Sequence, residues 1–237
     1  MAYIEGRVAA VPAANKEAYR KHAADAAAIF REYGATRVVE TWGDDVPDGT
    51  ITDFKGAVKA KPDEIIVFAW HEYPSKEVAD AANEKFMSDP RMKQLGATMP
   101  YDGMRMIFGG FTSVLDENAK GKMGYVDGSL VPVPAGNKAA YHELSAKLIP
   151  VLMEHGATRV VDTWEDAIPD GKVTDYKGAV KAAGDEKVVY SWIEWPSKEV
   201  RDAGWEKVIA DPRMYADSEP YDNERRVHGG FLPLIDA

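Results

Sequence analysis

The chain has 237 residues, no cysteine and a formal net charge of −10, and 45% of its residues are hydrophobic. This composition is ordinary for a globular protein of one or two domains; it excludes disulfides and thiolate metal ligands, and its negative charge argues against nucleic-acid binding. No apolar run approaches the ~18 residues of a membrane span. Glu5 and Arg7 interrupt the stretch that would be apolar in a signal peptide. We therefore expect an acidic cytoplasmic protein that binds neither nucleic acid nor membrane.

The first predicted elements are a strand and an amphipathic helix. The strand is YIEGRVAAV (3–11), and the residues after it have apolar side chains three or four positions apart, as on one face of a helix. These apolar residues are Tyr19, Ala23, Ala26, Phe30 and Tyr33. Asn15 is a candidate N-cap and Gly34 a candidate C-terminal stop, so the sequence predicts one helix between them.

Two further strands, a second helix and a last strand follow in the first half. TRVVETW (36–42) is rich in β-branched residues, and EIIVFAWHEY (64–73) is the next predicted strand. Ser75 is a candidate cap for the second helix, which ends near Asp89 because the following proline disfavours helical geometry there. With MRMIFGGF (104–111) as the last strand, the order β-α-β-β-α-β is that of a ferredoxin-like unit.

The second half of the chain repeats the first. The segment PDGTITDFKGAVKA (47–60) returns as PDGKVTDYKGAVKA (169–182), and matching segments continue on both sides. We predict two ferredoxin-like repeats at residues 1–117 and 124–237, joined by a linker at residues 118–123. The second repeat differs at Pro150, which lies inside its first predicted helix and is expected to kink the helix or divide it in two.

Each predicted repeat places two helices on one face of a four-stranded sheet and leaves the other face uncovered. Two repeats in one chain can cover these faces for each other, whereas two separate units would each expose a broad apolar surface. The predicted fold is therefore α+β, with two βαββαβ repeats packed sheet-to-sheet as an intrachain pseudo-dimeric α/β barrel. The chain is then either a monomeric pseudo-dimer or the subunit of a higher homo-oligomer.

Motifs that occur in both halves resemble those of the DUF1428 family. They are PDGxxTDF/YKGAVKA, WxEYPSKEV (WxEWPSKEV in the second half), DPRM, and PYD followed by an arginine and then GGF. The resemblance implies a dimeric α/β-barrel fold, here in tandem form, and it implies no particular reaction. The wider superfamily includes cofactor-independent monooxygenases, haem-degrading enzymes and isomerases, and each of these activities would be an analogy of fold only.

Alternation along the strands predicts polar and aromatic side chains on one sheet face of each repeat. In the first repeat these are Glu5, Arg7, Glu40, Trp42, Trp70, Glu72 and Arg105, and in the second they are Asp127, Ser129, Asp162, Trp164, Trp192, Glu194 and Arg225. One interpretation is a ligand pocket whose candidate binding residues are Trp42, Trp70, Glu72, Trp164, Trp192 and Glu194. The other, which we favour because a buried carboxylate usually has a partner, is a set of ion pairs and aromatic contacts that fix the two sheets.

Histidines differ between the repeats at three equivalent positions. Ile193 takes the place of His71 and Leu144 that of His22, whereas His228 takes the place of Phe108. A histidine titrates near neutrality and can act as a general base, which makes His71 a candidate catalytic residue. Packing is the favoured alternative, because the sequence reveals no partner for the ring.

A turn before the last strand of each repeat carries a recurring polar cluster. Its members are Tyr101, Asp102 and Arg105 in the first repeat and Tyr221, Asp222 and Arg225 in the second. These are candidate catalytic residues, since an arginine can hold a substrate carboxylate with two hydrogen bonds. The favoured alternative is a structural turn in which the aspartate caps backbone amides and pairs with the arginine.

No metal site and no cofactor are predicted. The aspartates before Gly49 and Gly171 lack the spacing of an EF-hand loop, and the sequence contains no phosphate-binding or dinucleotide-binding glycine motif. Turn chemistry explains the aspartates more simply, because aspartate side chains accept hydrogen bonds from nearby backbone amides.

Two functional hypotheses remain open. In the first, a small molecule binds between a sheet and its helices or between the two sheets, and the protein is a cofactor-independent enzyme that catalyses an oxygenation or an isomerisation. In the second, the interior is packed, and the protein is a non-catalytic structural, stress or interaction protein that uses an outer face. A cavity able to hold a ligand would favour the first hypothesis, and a solid interior would favour the second.

Overall fold

Each repeat forms four strands with helices between them, in the predicted order. The computed structural model describes residues 2–215 and 219–237. The first repeat contains β1 (Tyr3–Pro12), α1 (Lys16–Glu32), β2 (Arg37–Asp45), α2 (Phe54–Ala57), β3 (Glu64–Tyr73), α3 (Lys76–Ser88), α4 (Pro90–Ala97) and β4 (Ile107–Asn118). The second repeat contains β5 (Tyr125–Val133), α5 (Lys138–Glu154), β6 (Arg159–Ala167), α6 (Tyr176–Ala179), β7 (Lys187–Trp195), α7 (Lys198–Ala210) and β8 (Val227–Asp236).

The eight strands form one closed antiparallel barrel in the order β1-β3-β2-β8-β5-β7-β6-β4. The repeats meet where β2 pairs with β8 and β4 pairs with β6, which confirms the predicted pseudo-dimeric α/β barrel. The hydrogen-bonded seams add a feature that the prediction of two face-to-face sheets lacked. A free sheet edge would leave a row of backbone N–H and C=O groups unpaired, and closure of the barrel removes both free edges of each repeat.

Aromatic side chains fill the interior of the barrel. Phe68 stacks on Tyr190 with 4.4 Å between ring centroids, and Trp70 lies 4.5 Å from Trp192. The backbone at Gly6 approaches these rings so closely that a Cβ atom there would lie 2.8 Å from Tyr190. The sequence predicts a pocket either between a sheet and its helices or between the two sheets. The space between the sheets is occupied by aromatic side chains of both repeats, which pack against each other. This corrects the prediction of a pocket there.

The first helix ends as the sequence predicts and begins differently. Gly34 has a φ of 111° and follows the last turn of α1, a left-handed conformation that glycine adopts without a steric cost. Asn15 precedes the helix but makes no side-chain cap; its amide donates to the carbonyl of Pro100 at 2.8 Å and ties the start of α1 to the turn before β4.

The helix α5 excludes one of the two outcomes expected at Pro150, a division into two helices. It runs as one helix from Lys138 to Glu154 with Pro150 inside it, so it is not divided in two. Proline costs the helix one backbone hydrogen bond at this point, and burial of the neighbouring residues Ile149, Val151 and Leu152 offsets that loss.

The longer helices lie on the outside of the barrel. The helices α1 and α3 contact β2 and β3, and α5 and α7 contact β6 and β7. Each repeat therefore has a cleft between the outer face of its sheet and its two helices. Among the helices of the described residues, none is both long enough and apolar enough to cross a membrane.

Candidate functional site

A cavity of about 900 Å³ lies in the cleft of the second repeat, between the outer sheet face of β5–β8 and the helices α5 and α7. We call this space the second-repeat cleft. Its helix side is apolar and includes Leu144, Leu148, Ile149, Leu152, Trp205 and Ile209. Its volume and its wall, in which apolar side chains alternate with polar and charged ones, suit a small organic molecule that carries polar groups.

A polar row of side chains crosses the sheet floor of the second-repeat cleft. The register of the strands aligns Asp162 on β6 with Ser191 on β7, Ser191 with Ser129 on β5, and Ser129 with His228 on β8. The hydroxyl oxygens of Ser129 and Ser191 lie 2.9 Å apart. Since neighbouring strands are about 4.8 Å apart, the row spans roughly 14 Å of the floor.

The carboxyl group of Asp162 lies at one end of this row and is buried, with 7% of the residue exposed. Burial raises the pKa of Asp162 above its ordinary value, while the hydroxyl of Ser145 and the positive charge of Arg226 act in the opposite direction without cancelling it. In the described part of the chain no lysine or arginine forms an ion pair with this carboxylate. A carboxyl group with a raised pKa beside a cavity is a candidate proton acceptor and donor.

A cation that acts on this carboxyl group comes from the other edge of the sheet. Arg226 precedes β8 and lines the same cavity as Asp162. Its Nε atom is buried and has no hydrogen-bond partner among the described residues. A buried N–H group without a partner is unusual and costs stability. Since this Nε is closed off from solvent, a contact between Arg226 and a ligand falls to the outer nitrogens of its guanidinium group.

One end of the second-repeat cleft is closed by a satisfied polar network. Asp127 accepts hydrogen bonds from the indole N–H groups of Trp195 at 2.8 Å and Trp205 at 2.7 Å, and it pairs with Arg201 at 2.7 Å. This network holds α7 against the sheet. Residues 48–52, which follow β2 of the first repeat, line the cavity as well, so the wall of this cleft is built by both repeats.

The equivalent cleft of the first repeat is filled by its own side chains. There the row across the sheet reads Phe108, Arg7, Ala69 and Glu40. Arg7 donates to Glu40 and lies 2.8 Å from Nε2 of His71, and Tyr19 donates to Glu40 at 2.6 Å. The long side chain of Arg7 thus occupies the volume that Ser129 leaves open in the second repeat.

The chain's relatives are those that the repeated motifs predict. The sequence profile of the family described as "Protein of unknown function (DUF1428)" matches residues 2–103 and 124–223. The chain belongs to this family. It is 62% identical over 117 residues to the uncharacterized protein YbaA of Escherichia coli K12, a match that covers 49% of this chain and all of YbaA. A member of the DUF1428 family with one unit therefore corresponds to half of this chain.

Two solved structures share the whole architecture. A "putative monooxygenase" from Lactobacillus acidophilus superposes with a TM-score of 0.58 at 10% identity, covering 100% of this chain and 95% of the other. A protein of the same description from Fusobacterium nucleatum gives a TM-score of 0.56 at 7% identity, covering 99% and 93%. At these identities the likeness establishes the fold of this DUF1428 protein and nothing about its reaction.

The tryptophan and glutamate candidates do not share one face, which corrects the predicted set. Trp70 and Trp192 point into the barrel, where their indole N–H groups donate to Glu72 and Glu194, each at 3.1 Å. Trp42 packs against Tyr19, and Trp164 packs against Tyr141, beneath the first turns of the outer helices. Trp192 contributes to the lining of the cavity, and Trp42, Trp70 and Trp164 do not.

Glu72 and Glu194 serve the contact between the repeats. Glu194 pairs with Arg37 of the first repeat at 2.6 Å, and Glu72 pairs with Arg159 of the second repeat at 2.7 Å. Each carboxylate therefore has an arginine and an indole as partners. These contacts support the structural interpretation of the two glutamates.

The polar clusters in the turns before β4 and β8 form equivalent salt bridges in the two repeats. Arg105 bonds both oxygens of Glu64 at 2.6 and 2.7 Å and Asp102 at 2.9 Å, and the pairing of Arg105 holds the pKa of Glu64 down at about 2. Arg225 makes the same contacts with Glu186 and Asp222, each at 2.7 Å. Because these guanidinium groups are fully engaged, their contacts support the structural alternative. Tyr221 lies in the wall of the cavity, and Tyr101 packs on Tyr19 in the filled cleft.

The candidate His71 is buried in the filled cleft, with its ring 3.9 Å from that of Phe30. Burial and the charge of Arg7 lower the pKa of His71, and Glu5 acts in the opposite direction at 3.8 Å. The ring is therefore mainly neutral at pH 7, and His71 is not among the residues that line the second-repeat cleft. His22 lies on the outer side of the same cleft beside Tyr101.

The strongest residues of the site were only partly visible in the sequence. Asp162 and Ser129 were among the residues of the predicted polar face, but Ser145 and Arg226 were not. A comparison of the repeats could have found both, because they stand where the first repeat has Ala23 and Met106. Among the described residues there is no group of three acidic, histidine or cysteine side chains placed to hold a metal ion.

Proposed function

We propose that this DUF1428 protein binds a small organic molecule in the second-repeat cleft and that Asp162 exchanges a proton with it. The observation that carries the proposal is the buried carboxyl group of Asp162, which faces a cavity of about 900 Å³ without an ion-pair partner in the described chain. A structural carboxylate would be expected to have such a partner, as Glu40 has in the first repeat.

The wall of the cleft suits proton transfer. Leucine and isoleucine side chains of α5 line the same cleft as the carboxyl group, and a site of low polarity strengthens each electrostatic interaction within it. A carboxylate whose pKa has been raised by burial is a stronger base than an exposed one when it is ionised. The site therefore favours removal of a weakly acidic proton from an apolar ligand.

The structural relatives support a small-molecule site in this fold. Two of them carry the name of a monooxygenase, and both superpose over nearly the whole chain. The low identities carry no residue roles across, so the proposal rests on the cleft itself. The non-catalytic alternative predicts that no small molecule binds there.

A thermal-shift screen with a metabolite library tests the binding. A ligand that prefers the native state raises its stability by about 2.7 kcal/mol at a concentration a hundredfold above its dissociation constant. The matched control is Ser129→Arg, which places in this cleft the side chain that fills the first-repeat cleft. Compounds that shift wild type and not this variant support the proposal. Compounds that shift both equally, or no shifts at all, contradict it.

A second measurement tests the proton transfer. The exchange of carbon-bound protons of each binding compound for deuterium in heavy water is followed by NMR spectroscopy with catalytic amounts of protein. Wild type is expected to accelerate the exchange, and Asp162→Asn is expected to bind the compound without accelerating it. Equal exchange rates with the two proteins would remove Asp162 from the proposed role.

A further inference from the structure

The two clefts hold the same charges in different positions. In the first repeat, Arg7 stands in the middle of the sheet and contacts Glu40 directly. In the second repeat, Ser129 replaces that arginine, and an arginine appears instead at position 226, where the first repeat has Met106. One cation and one carboxylate are therefore retained, but no ion pair joins them in the described chain.

The separation leaves a gap between two polar groups of opposite charge. Asp162 stands on β6 and Arg226 at the start of β8, which are the two outer strands of the four that form this repeat. Between them the floor carries the short side chains of Ser129 and Ser191, and His228 ends the row on β8, the strand that Arg226 precedes. Both charged groups line the same cavity.

This arrangement defines the chemistry of a complementary ligand. One group of the ligand must give a proton to Asp162, and another must accept a hydrogen bond from Arg226. Both groups must belong to a molecule with an apolar body, because Leu144, Leu148 and Trp205 form the opposite wall. A carbonyl compound with an acidic proton on the neighbouring carbon meets all three requirements.

Resting on the proposed function above, we infer that the second-repeat cleft binds an apolar, enolisable carbonyl compound, with Asp162 as the proton acceptor and Arg226 as the donor to its oxygen. Asp162 takes the proton from the carbon next to the carbonyl group. The electron pair of the broken C–H bond forms a carbon–carbon double bond, and the carbonyl π pair moves to the oxygen. The resulting enolate oxygen faces Arg226. Return of the proton to the same carbon regenerates the ligand, and its delivery to the oxygen gives the enol isomer, in either case without any further reactant.

A positive group aimed at the oxygen where negative charge develops is the arrangement that stabilises such an intermediate. Arg226 fits this role better than an arginine already held by a carboxylate, because Arg105 and Arg225 have their donors occupied. The assignment makes Arg226 the residue that selects an oxygen-bearing ligand and Asp162 the residue that reacts.

The probe for this inference is benzoylacetone, an apolar compound with an acidic carbon between two carbonyl groups and an enolate that absorbs ultraviolet light. Its matched control carries two methyl groups on that carbon and so has both carbonyl oxygens but lacks the strongly acidic protons between them. Wild type is expected to bind benzoylacetone at least tenfold more tightly than the control compound, with an enolate absorption band and faster deuterium exchange.

Substitutions at Arg226 and Asp162 test the role proposed for each residue. Arg226→Met, which restores the residue of the first repeat, is expected to lose the enolate band and at least tenfold in affinity, and Arg226→Gln tests the same loss with a polar side chain should the first variant fold poorly. Asp162→Asn is expected to bind without exchange. If benzoylacetone and its control bind equally and Arg226→Met changes nothing, the ligand class is wrong although the cleft still binds small molecules. If library compounds also fail to bind, the proposed function itself is wrong.

Discussion

Ser129 in the second repeat occupies the position of Arg7 in the first, and this exchange determines which of the two clefts is open. Both residues lie in the middle of the sheet, paired with Ser191 and Ala69 respectively. Arg7 reaches across to Glu40, whereas Ser129 leaves a cavity in front of Asp162. The duplication thus produced one filled cleft and one open cleft within a single closed barrel.

The exchange predicts that Ser129→Arg closes the second-repeat cleft. The new guanidinium can pair with Asp162 as Arg7 pairs with Glu40, so the variant should fold, keep or raise its thermal midpoint, and lose at least tenfold in affinity for any cleft ligand. Ser191→Ala serves as the control, since it removes a hydroxyl from the same floor without filling the cavity. Titration calorimetry and thermal melts of the three proteins measure both effects. Unchanged affinity in Ser129→Arg would place the ligand elsewhere.

Asp162→Asn should stabilise the protein at neutral pH. The pKa of Asp162 is raised in the folded protein by burial, so its contribution to stability is fully present below the unfolded pKa and is lost as pH rises through the folded value. Ionisation of this carboxyl group at pH 7 therefore favours the unfolded chain, and asparagine carries no such penalty. The titratable and charged groups that face Asp162 are Tyr141 of α5 and Arg226. Thermal melts should give a higher midpoint for Asp162→Asn at pH 7 and a difference that shrinks towards pH 4; a constant difference would contradict this origin.

The ion pair of Glu64 and Arg105 should give the opposite dependence of stability on pH. The pKa of Glu64 is lowered to about 2 by Arg105, so the stability that its ionised form contributes is present above the unfolded pKa and is lost as pH falls through about 2. Glu64→Gln is expected to cost roughly 2–3 kcal/mol at pH 7 because it leaves Arg105 without its main partner. Urea denaturation should show the gap to wild type narrowing between pH 5 and pH 2, while ligand affinity in the second-repeat cleft stays unchanged.

The fold was predictable from the sequence because repetition and strand alternation are local signals. The TRVVETW and TRVVDTW strands and the glycine after α1 all lie where the pattern places them. The strand pairs that join the two repeats, β2 with β8 and β4 with β6, were not predictable, since such pairing depends on which sheet edges come together in three dimensions. The open cleft was not predictable for a related reason. Whether Arg7 reaches Glu40 depends on the distance across two neighbouring strands, and the sequence contains no such distance.

The packing of the barrel interior gives a prediction that is independent of function. Gly6→Ala would place a Cβ atom 2.8 Å from the ring of Tyr190, whereas a Cβ atom at Gly136 has nothing within 4 Å. Overpacking of a rigid core costs roughly 1–3 kcal/mol, so Gly6→Ala should lower the free energy of unfolding by that amount. Gly136→Ala should leave it nearly unchanged. Equal effects of the two substitutions in urea denaturation would contradict the close packing of the two inner faces.

The filled cleft of the first repeat should open when it is given the residues found at the equivalent positions of the second repeat. Arg7→Ser alone should cost roughly 3 kcal/mol, because it leaves the buried Glu40 without its cation. Adding Met106→Arg and His71→Ile returns a cation to the cleft at the position of Arg226 and replaces the buried ring by the residue of the second repeat, so part of that loss should be recovered. If a small molecule binds the second-repeat cleft, calorimetry should then give two molecules bound per chain instead of one. A variant that recovers stability and still binds one molecule would show that Ser129 and Arg226 are insufficient to make a site, and a crystal structure of the variant would reveal whether the first cleft had opened.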